Sequence, residues 1–182
     1  MSPIHLLPLG DANRGVVSTL CSALHEALGS TVVVREANVD LSPFLDAQRL
    51  QYNSSKIIMH LNDRLHALFE PVDQDAFLLA VVSEDLCIPI LTFVFGEAQF
   101  NGRVGIVSYH RLQNERYGLP GNPDLLQKRL AKEALHELGH MHGLVHCYSF
   151  DCVMHISTYV EEIDTKPASF CSSCRELLSG RS

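Results

Sequence analysis

The sequence lacks any concentrated block of basic residues. Its 182 residues include 14 Lys and Arg against 21 Asp and Glu, which gives a formal net charge of -7. The basic residues are scattered along the chain, whereas a protein that wraps nucleic acid phosphates presents them together on one surface. This distribution predicts a protein with no nucleic-acid partner.

The sequence also lacks long apolar runs. No segment approaches the ~20 apolar residues that a membrane-spanning helix needs. The opening residues, MSPIHLLPLG, carry no basic region before their short apolar run, so they do not resemble an export signal. We therefore expect no membrane partner and a cytoplasmic location. In that reducing compartment the six cysteines are expected to be metal ligands, buried thiols or redox groups, not disulfides.

The residues that are present favour a single α/β domain. Hydrophobic residues make up 46% of the chain, which is enough for a core of ordinary size. In the first half, β-rich runs alternate with amphipathic stretches. Strands are predicted at residues 4–9, 31–34 and 76–82, and helices at residues 11–29 and 54–69. Asp11 is the expected N-cap of the first helix, and the strand after it is expected to be buried.

A turn signal in the middle of the chain indicates one strand of opposite direction. The runs at residues 91–95 and 103–109 flank Asn101-Gly102, a dipeptide that favours a tight turn between strands. The expected fold class is therefore α/β, with a mixed, twisted sheet that has an antiparallel edge strand and packed helices.

The clearest boundary signals belong to a helix at residues 122–142. Asn122 can act as its N-cap, Pro123 suits the first helical position, and Asp124 complements the positive end of the helix dipole. The expected core face is made by apolar residues at helical spacing: Leu126, Leu130, Ala134, Leu138 and Met141. His136 and His140 are four residues apart on another face, so they can share one cation.

The residues after these histidines complete a catalytic zinc pattern. Gly143 can adopt a positive φ and turn the chain, so that His146 returns as a third ligand. Three nitrogen ligands and one open position are typical of a catalytic zinc site. Glu137 suits a base that activates a zinc-bound water, and the implied reaction is amide hydrolysis. A bare HExxH pattern often arises by chance, but the extension to His146 favours a metal site.

The stretch HELGHMHGLVH resembles the long zinc-binding pattern of the metzincin metallopeptidases, and Met154 is similar to their Met-turn methionine. The cysteines beyond it resemble the signature of one branch, the archaemetzincins. These are Cys147, Cys152, Cys171 and Cys174. The resemblance is specific over residues 135–174, and it implies a metzincin fold and a peptide or protein substrate.

The resemblance also implies a role for each motif residue. His136, His140 and His146 would bind a catalytic zinc ion, Glu137 would be the general base, and Met154 would lie beneath the histidines. The four cysteines would hold a second, structural zinc ion. A site of four thiolates is stable in a reducing cell, where the cysteines are not oxidised to disulfides. Residues 1–143 would then form an N-terminal subdomain, and residues 144–182 a small C-terminal subdomain stapled by zinc. Because His146 and Cys147 are adjacent, we hypothesise that the structural zinc fixes the third catalytic ligand.

Several alternatives remain open from the sequence. Cys171 and Cys174 could form a redox pair or a disulfide, and Met154 could simply fill the core. Cys21 and Cys87 are expected to be core thiols. In function, the alternatives to a peptidase are a zinc-organised peptide-binding module and a small-molecule amide hydrolase. The sequence is compatible with a monomer but does not define the oligomeric state.

The substrate is expected to lie extended along an upper edge strand near residues 91–100. Residues 155–170 are expected to form the outer wall of the cleft. The loop contains three acids: Glu161, Glu162 and Asp164. They either face the cleft or are solvated, and we favour the interpretation that they are solvated. Tyr159 is the candidate residue of the loop for stabilising a transition state, although the sequence does not fix its position.

Overall fold

The computed structural model describes residues 2–69 and 75–180, and it confirms the α/β fold with a mixed sheet. The strands of the main sheet are β1 (Ile4–Pro8), β2 (Val32–Val34), β5 (Phe77–Val82), β7 (Gly96–Ala98) and β8 (Val104–Ser108). A smaller sheet contains β3 (Leu45–Asp46), β4 (Gln51–Asn53) and β6 (Leu86–Cys87). The helices are α1 (Arg14–Leu28), α2 (Ser54–Asp63), α3 (Leu65–Phe69), α4 (Pro123–Met141), α5 (Val160–Thr165) and α6 (Ser172–Ser179). None of the described helices is long and apolar enough to cross a membrane.

The main sheet has the order β2-β1-β5-β8-β7. β1 is parallel to both β2 and β5, and β5 is parallel to β8, as the alternation of strands and helices predicts. β7 lies at one edge and is antiparallel to β8. The predicted antiparallel edge strand is therefore confirmed, and it is the strand nearest to the candidate active site.

Apolar residues on the two faces of the sheet form two separate cores. One face packs against α1, α4 and the C-terminal segment, and the other packs against α2. Successive residues of β5 alternate between them, since Leu79 and Val81 belong to the first core and Leu78 and Ala80 to the second. This is the period of two that a strand covered on both faces requires. The sheet thus holds α4, which carries the histidines, firmly on one side.

The boundary signals of α4 predict its position correctly. Asn122 accepts a hydrogen bond from Leu125 N over 3.0 Å, and Pro123 is the first helical residue. The helix ends at Met141, and Gly143 follows with a φ of 79°. Of the expected core face, Leu126 is partly buried and the other members are buried.

Three local predictions are wrong. The N-cap of α1 is Asn13, whose side chain accepts from Gly15 N and Val16 N, because Asp11 lies in a turn where its own N–H donates to Glu84. β2 is an edge strand and is not fully buried. Among the described residues, 91–95 contribute one isolated bridge and no strand, and the antiparallel strand begins at Gly96.

Candidate active site

The three predicted histidine ligands come together at the C-terminal end of α4. One ring nitrogen of each lies within 4.8 Å of the other two. The Nε2 atoms of His136 and His140 are 3.1 Å apart. Two nitrogens bound to one tetrahedral zinc ion at its usual bond length lie about 3.3 Å apart. The arrangement therefore fits zinc, and the turn at Gly143 brings His146 into it.

Backbone carbonyls fix the opposite nitrogens of two of these rings. His136 Nδ1 donates to Val153 O over 2.9 Å, and His140 Nδ1 donates to Leu144 O over 2.8 Å. Because a carbonyl oxygen only accepts, each Nδ1 must carry the proton. Each Nε2 then keeps its lone pair for a cation, which is how neighbouring groups usually orient metal-binding histidines.

The protein environment keeps all three imidazoles neutral. Burial lowers the pKa of His136 well below its ordinary value, and the positive charge of Lys166 lowers it further. Burial is also the first cause of the lowered pKa of His140 and of His146. Since neutral imidazole is the form that binds metal ions, these ligands are ready to bind at neutral pH.

The carboxylate of Glu137 lies against the edge strand β7. A Cβ atom added at Gly96 would be 2.6 Å from Glu137 Oε1, so the strand passes the carboxylate only because residue 96 has no side chain. Burial raises the pKa of Glu137 well above its ordinary value, repulsion from Glu133 raises it further, and Lys166 opposes both. A carboxylate with a raised pKa is a stronger base.

A buried ion pair stands next to Glu137. Nζ of Lys166 lies 2.9 Å from Oε1 of Glu133, and the two side chains are 2% and 5% exposed. Lys166 also donates to His155 O over 3.3 Å. The sequence does not predict this pair, because no motif marks Lys166. The only signal is that Glu133 precedes Glu137 by one helical turn on α4.

Met154 is fully buried and packs against α4, the helix that carries His136 and His140. A Cβ atom at Gly139 would overlap Met154 Sδ and would come within 3.1 Å of Phe170. The glycine inside the motif therefore lets the methionine pack directly on the backbone of α4. This contact brings the segment after Met154 close to the site.

The four predicted cysteine ligands form a second cluster, with all sulfur atoms within 4.8 Å of one another. The Sγ atoms of Cys147 and Cys171 are 3.8 Å apart, and those of Cys152 and Cys174 are 3.7 Å apart. Sulfur atoms bound to one tetrahedral zinc ion lie about 3.8 Å apart. All four thiols are free, so the cluster fits a metal and not a disulfide pair.

A cavity of about 740 Å³ opens in front of the histidines. α4 provides one part of the wall with His136, His140 and Glu137, His146 lines the cavity from the turn after α4, and residues 91–98 provide a part that is largely apolar. Residues 156–159, which include the predicted Tyr159, line a third side. The cavity is large enough for a stretch of peptide to reach all the groups described above.

The acids of the loop after Met154 are not part of the cavity wall. Asp164 forms a bidentate ion pair with Arg129, at 2.7 Å for each bond. Glu162 accepts hydrogen bonds from the backbone N–H groups of Thr158 and Tyr159 at the start of α5. Glu161 is exposed to solvent. None of the three acids is among the residues that line the cavity, but only Glu161 is simply solvated, because Asp164 is ion-paired and Glu162 is hydrogen-bonded at the start of α5. Cys21 and Cys87 both lie outside the metal clusters, and only Cys87 is fully buried.

Comparison with known families places nearly the whole chain in one family. Residues 17–180 match the model of peptidase family M54. The archaemetzincin of Methanocaldococcus jannaschii is 34% identical over 178 residues, which cover 98% of this chain and 93% of that protein. The archaemetzincin of Aeropyrum pernix is 36% identical over 177 residues, which cover 95% and 91%.

Solved structures agree with this assignment. A zinc-dependent peptidase from Methanocorpusculum labreanum has a TM-score of 0.87 at 33% identity, with 96% of this chain and 99% of that chain covered. The archaemetzincin of Archaeoglobus fulgidus, complexed with malonate, has a TM-score of 0.78 at 32% identity, with the same coverage. The chain therefore belongs to the archaemetzincins, peptidase family M54, and is a zinc metallopeptidase.

Proposed function

We propose that this chain hydrolyses peptide bonds with His136, His140 and His146 as ligands of a catalytic zinc ion and with Glu137 as general base. One observation carries the proposal: three neutral imidazoles and a buried carboxylate converge on the same cavity. With zinc bound by the three imidazoles, the site would hold an electrophile and a base at one place, which peptide hydrolysis requires.

In the proposed reaction, Glu137 and the zinc ion held by the histidines have different roles. Bound zinc supplies a Lewis acid that polarises a substrate carbonyl and lowers the pKa of water. Glu137 accepts a proton from the attacking water and passes it to the leaving amine nitrogen. Its raised pKa suits both steps, since a stronger base takes the proton more readily and the protonated form is then a usable acid.

We also propose that Cys147, Cys152, Cys171 and Cys174 hold a second, structural zinc ion. Four thiolates leave no open position, which is the mark of a structural site. The backbone N–H of Cys174 donates to Cys171 and, with neighbouring thiols, lowers the pKa of Cys171 to about 7, whereas burial raises the pKa of Cys152 and that of Cys174. A bound zinc ion would therefore have to displace the protons of those two thiols. Metal analysis of the purified protein should find two zinc ions per chain.

Extended or unstructured peptides are the proposed substrates. β7 pairs with β8 along one side only, and Gly96, Glu97 and Ala98 of β7 line the cavity. An extended peptide can therefore add to this edge by main-chain hydrogen bonds. A strand inside a folded protein is already paired with its neighbours, so it could not add to β7 without local unfolding.

The chain is proposed to form one domain that divides into subdomains after Gly143. Residues on both sides of that point belong to the same core, since Val17 and Leu138 pack in one cluster with Val153 and Phe170. The C-terminal part thus completes the core and does not fold separately.

The test is digestion of a proteome-derived peptide library by the zinc-loaded protein, read by mass spectrometry. Glu137→Gln keeps all seven proposed metal ligands and removes the base, so it should lower kcat by about 10³-fold. Glu26→Gln, at an exposed position on α1, is the matched control and should cleave like the unaltered protein.

The outcomes separate the candidate functions. Cleavage by the unaltered protein and by Glu26→Gln, but not by Glu137→Gln, supports the peptidase mechanism and gives its preference. Equal cleavage by all three proteins contradicts the role of Glu137. If none of them cleaves but zinc-dependent peptide binding is measured, the peptide-binding module replaces the peptidase proposal.

A further inference from the structure

Residues 88–93 form a part of the cavity edge that we call the rim. One arginine that lies far away in sequence is hydrogen-bonded to this rim. Arg49 is in the loop between β3 and β4, and its guanidinium reaches the segment between β6 and β7. Nη1 donates to Ile88 O over 3.1 Å, and Nη2 donates to Leu91 O over 2.5 Å and to Thr92 O over 2.6 Å. Three carbonyls of this short segment therefore share one side chain as donor.

A second set of polar contacts completes this attachment. Arg49 Nε donates to Gln51 Oε1 over 2.8 Å, and Gln51 Nε2 donates in turn to Thr92 O over 3.0 Å and to Asp85 over 2.9 Å. Asp85 accepts two 2.7 Å bonds from Arg111. The guanidinium of Arg111 also lies 4.2 Å from the centre of the Phe93 ring. The network is continuous from Arg49 to Phe93.

The segment held in this way is part of the substrate cavity. Ile88, Leu91, Thr92 and Phe93 all line it, as do the three histidines. Among these residues a strand ladder is missing, because Leu91 O and Thr92 O bond to Arg49 and not to another strand. Since regular sheet pairing does not order the segment, side-chain bonds must do so.

We propose that Arg49, together with Gln51, Asp85 and Arg111, is a rim clamp that fixes residues 88–93 in a conformation ready to receive substrate. The clamp sets the affinity for peptides whose large apolar side chain rests on Ile88, Leu91 and Phe93. This inference rests on the proposed peptidase function and adds the residues that determine its selectivity. Arg49 is a positioning residue, because it acts through the rim and not on the reacting atoms.

The clamp should raise substrate affinity because ordering a loop on binding costs conformational free energy. With the clamp intact, the rim is already ordered and its apolar side chains are already placed. Without it, part of the binding free energy must be used to order residues 88–93. The loss should therefore appear in KM for apolar peptides, whereas kcat, which depends on α4 and its ligands, should change little.

The test compares Arg49→Met, Arg49→Lys and Arg64→Met in the full-length, zinc-loaded protein. Arg64 is the matched control, since its exposed side chain makes no hydrogen bond or ion pair with any described residue. Arg49→Met should raise KM about tenfold for a peptide with Leu or Phe at the position that contacts the rim, with kcat within about twofold. Arg49→Lys should restore only part of the loss, because a single ammonium cannot reach three carbonyls as a planar guanidinium does.

Hydrogen exchange gives a measurement that does not depend on activity. In Arg49→Met, the hydrogen-bonded backbone amides of Leu91 and Val94, which donate to Ile88 O and Leu86 O, should exchange at least about tenfold faster, while those of α4 remain protected as before. Unchanged exchange at Leu91 and Val94, or a fall in kcat with KM unchanged, would overturn the clamp. If even the unaltered protein cleaves no peptide, the proposed function fails, and the exchange result still decides whether Arg49 orders the rim.

Discussion

At the scale of single residues, the site depends on positions where a side chain is absent as well as on those where one is present. Gly96 leaves space for the carboxylate of Glu137, and Gly139 leaves space for Met154. Neither glycine is a ligand or a base. Each allows a catalytic or supporting side chain to touch backbone directly, so substitutions there should disturb the site without removing any of its chemical groups.

Gly139→Ala should destabilise the protein. The added Cβ would overlap Met154 Sδ, and Met154 is fully buried, so its side chain has no free space to occupy. Overpacking of this kind should lower the free energy of unfolding by about 2 kcal/mol, measured by chemical denaturation. Gly180→Ala is the matched control, because its Cβ would meet only Glu176 O at 3.5 Å. A loss at Gly139 no larger than that at Gly180 would contradict the packing argument.

At the scale of elements, the sequence predicts best where a residue's own neighbours decide the structure. α4 is predicted almost to the residue, because Asn122, Pro123 and Gly143 act within one helical turn of its ends. The metal-ligand candidates also follow from local spacing, since residues four apart on a helix must lie together. The central strands follow from continuous apolar runs that only a covered sheet can bury.

Prediction of local structure from sequence fails where a contact with a distant residue determines the conformation. The segment at residues 91–95 has the composition of a strand, but Arg49 binds the carbonyls of Leu91 and Thr92, so this part of the chain forms the rim of the cavity. Lys166 carries no signal in sequence, because its importance comes from meeting Glu133, 33 positions earlier, only after folding. Asp11 is replaced as N-cap by Asn13 because a contact with Glu84 keeps it in a turn. Each error is a long-range contact that overrides a local preference.

Asp85 joins the element β6 to the segment after β8, and this connection should depend on pH. Burial alone would raise the pKa of Asp85, but hydrogen bonds from Arg111 and Gln51 and the charge of Arg111 outweigh it and hold the pKa below its ordinary value. The unfolded chain therefore takes up this proton at a higher pH than the folded chain. The stability contributed by the ionised carboxylate is fully present above the ordinary aspartate pKa, and it falls as the pH drops through the lower, folded value.

The measurement is urea denaturation of the unaltered protein and of Asp85→Asn across a range of pH. The unaltered protein should be the more stable by a constant difference from pH 7 down to about pH 5, and the difference should shrink below about pH 4. Metal release at low pH affects both proteins and cancels in the difference. A difference that grows on acidification would show that the sign of the linkage is wrong.

At the scale of the whole molecule, the two proposed metal sites share one segment of chain. Val153 O accepts from His136, and Val153 N donates to Ser169 O over 2.8 Å, next to the cysteine segment. Cys147 N donates to Met154 O over 2.9 Å, and the imidazole of His155 lies 3.1 Å from Cys147 O. Lys166 then connects His155 to Glu133 on α4. A change at the cysteine cluster therefore has a direct path to the ligands of the catalytic site.

This connection predicts that loss of the proposed structural zinc ion weakens binding of the proposed catalytic zinc ion. The double substitution of Cys171 and Cys174 by Ser removes two of the four thiolates but leaves every histidine in place. His146 should lose its fixed position first, because it is exposed and adjacent to Cys147, whereas His136 and His140 are held on α4. Supporting groups of this kind typically change metal affinity by about 10–100-fold, and the affinity of the histidine site should fall by that amount. The zinc affinity of the histidine site is measured by competition with a zinc-binding dye, after far-UV circular dichroism shows that the helices are retained. Double substitution of the exposed Ser22 and Ser172 by Ala is the control. Unchanged affinity in the folded cysteine variant would mean that α4 and its turn hold the three histidines without help from the second metal.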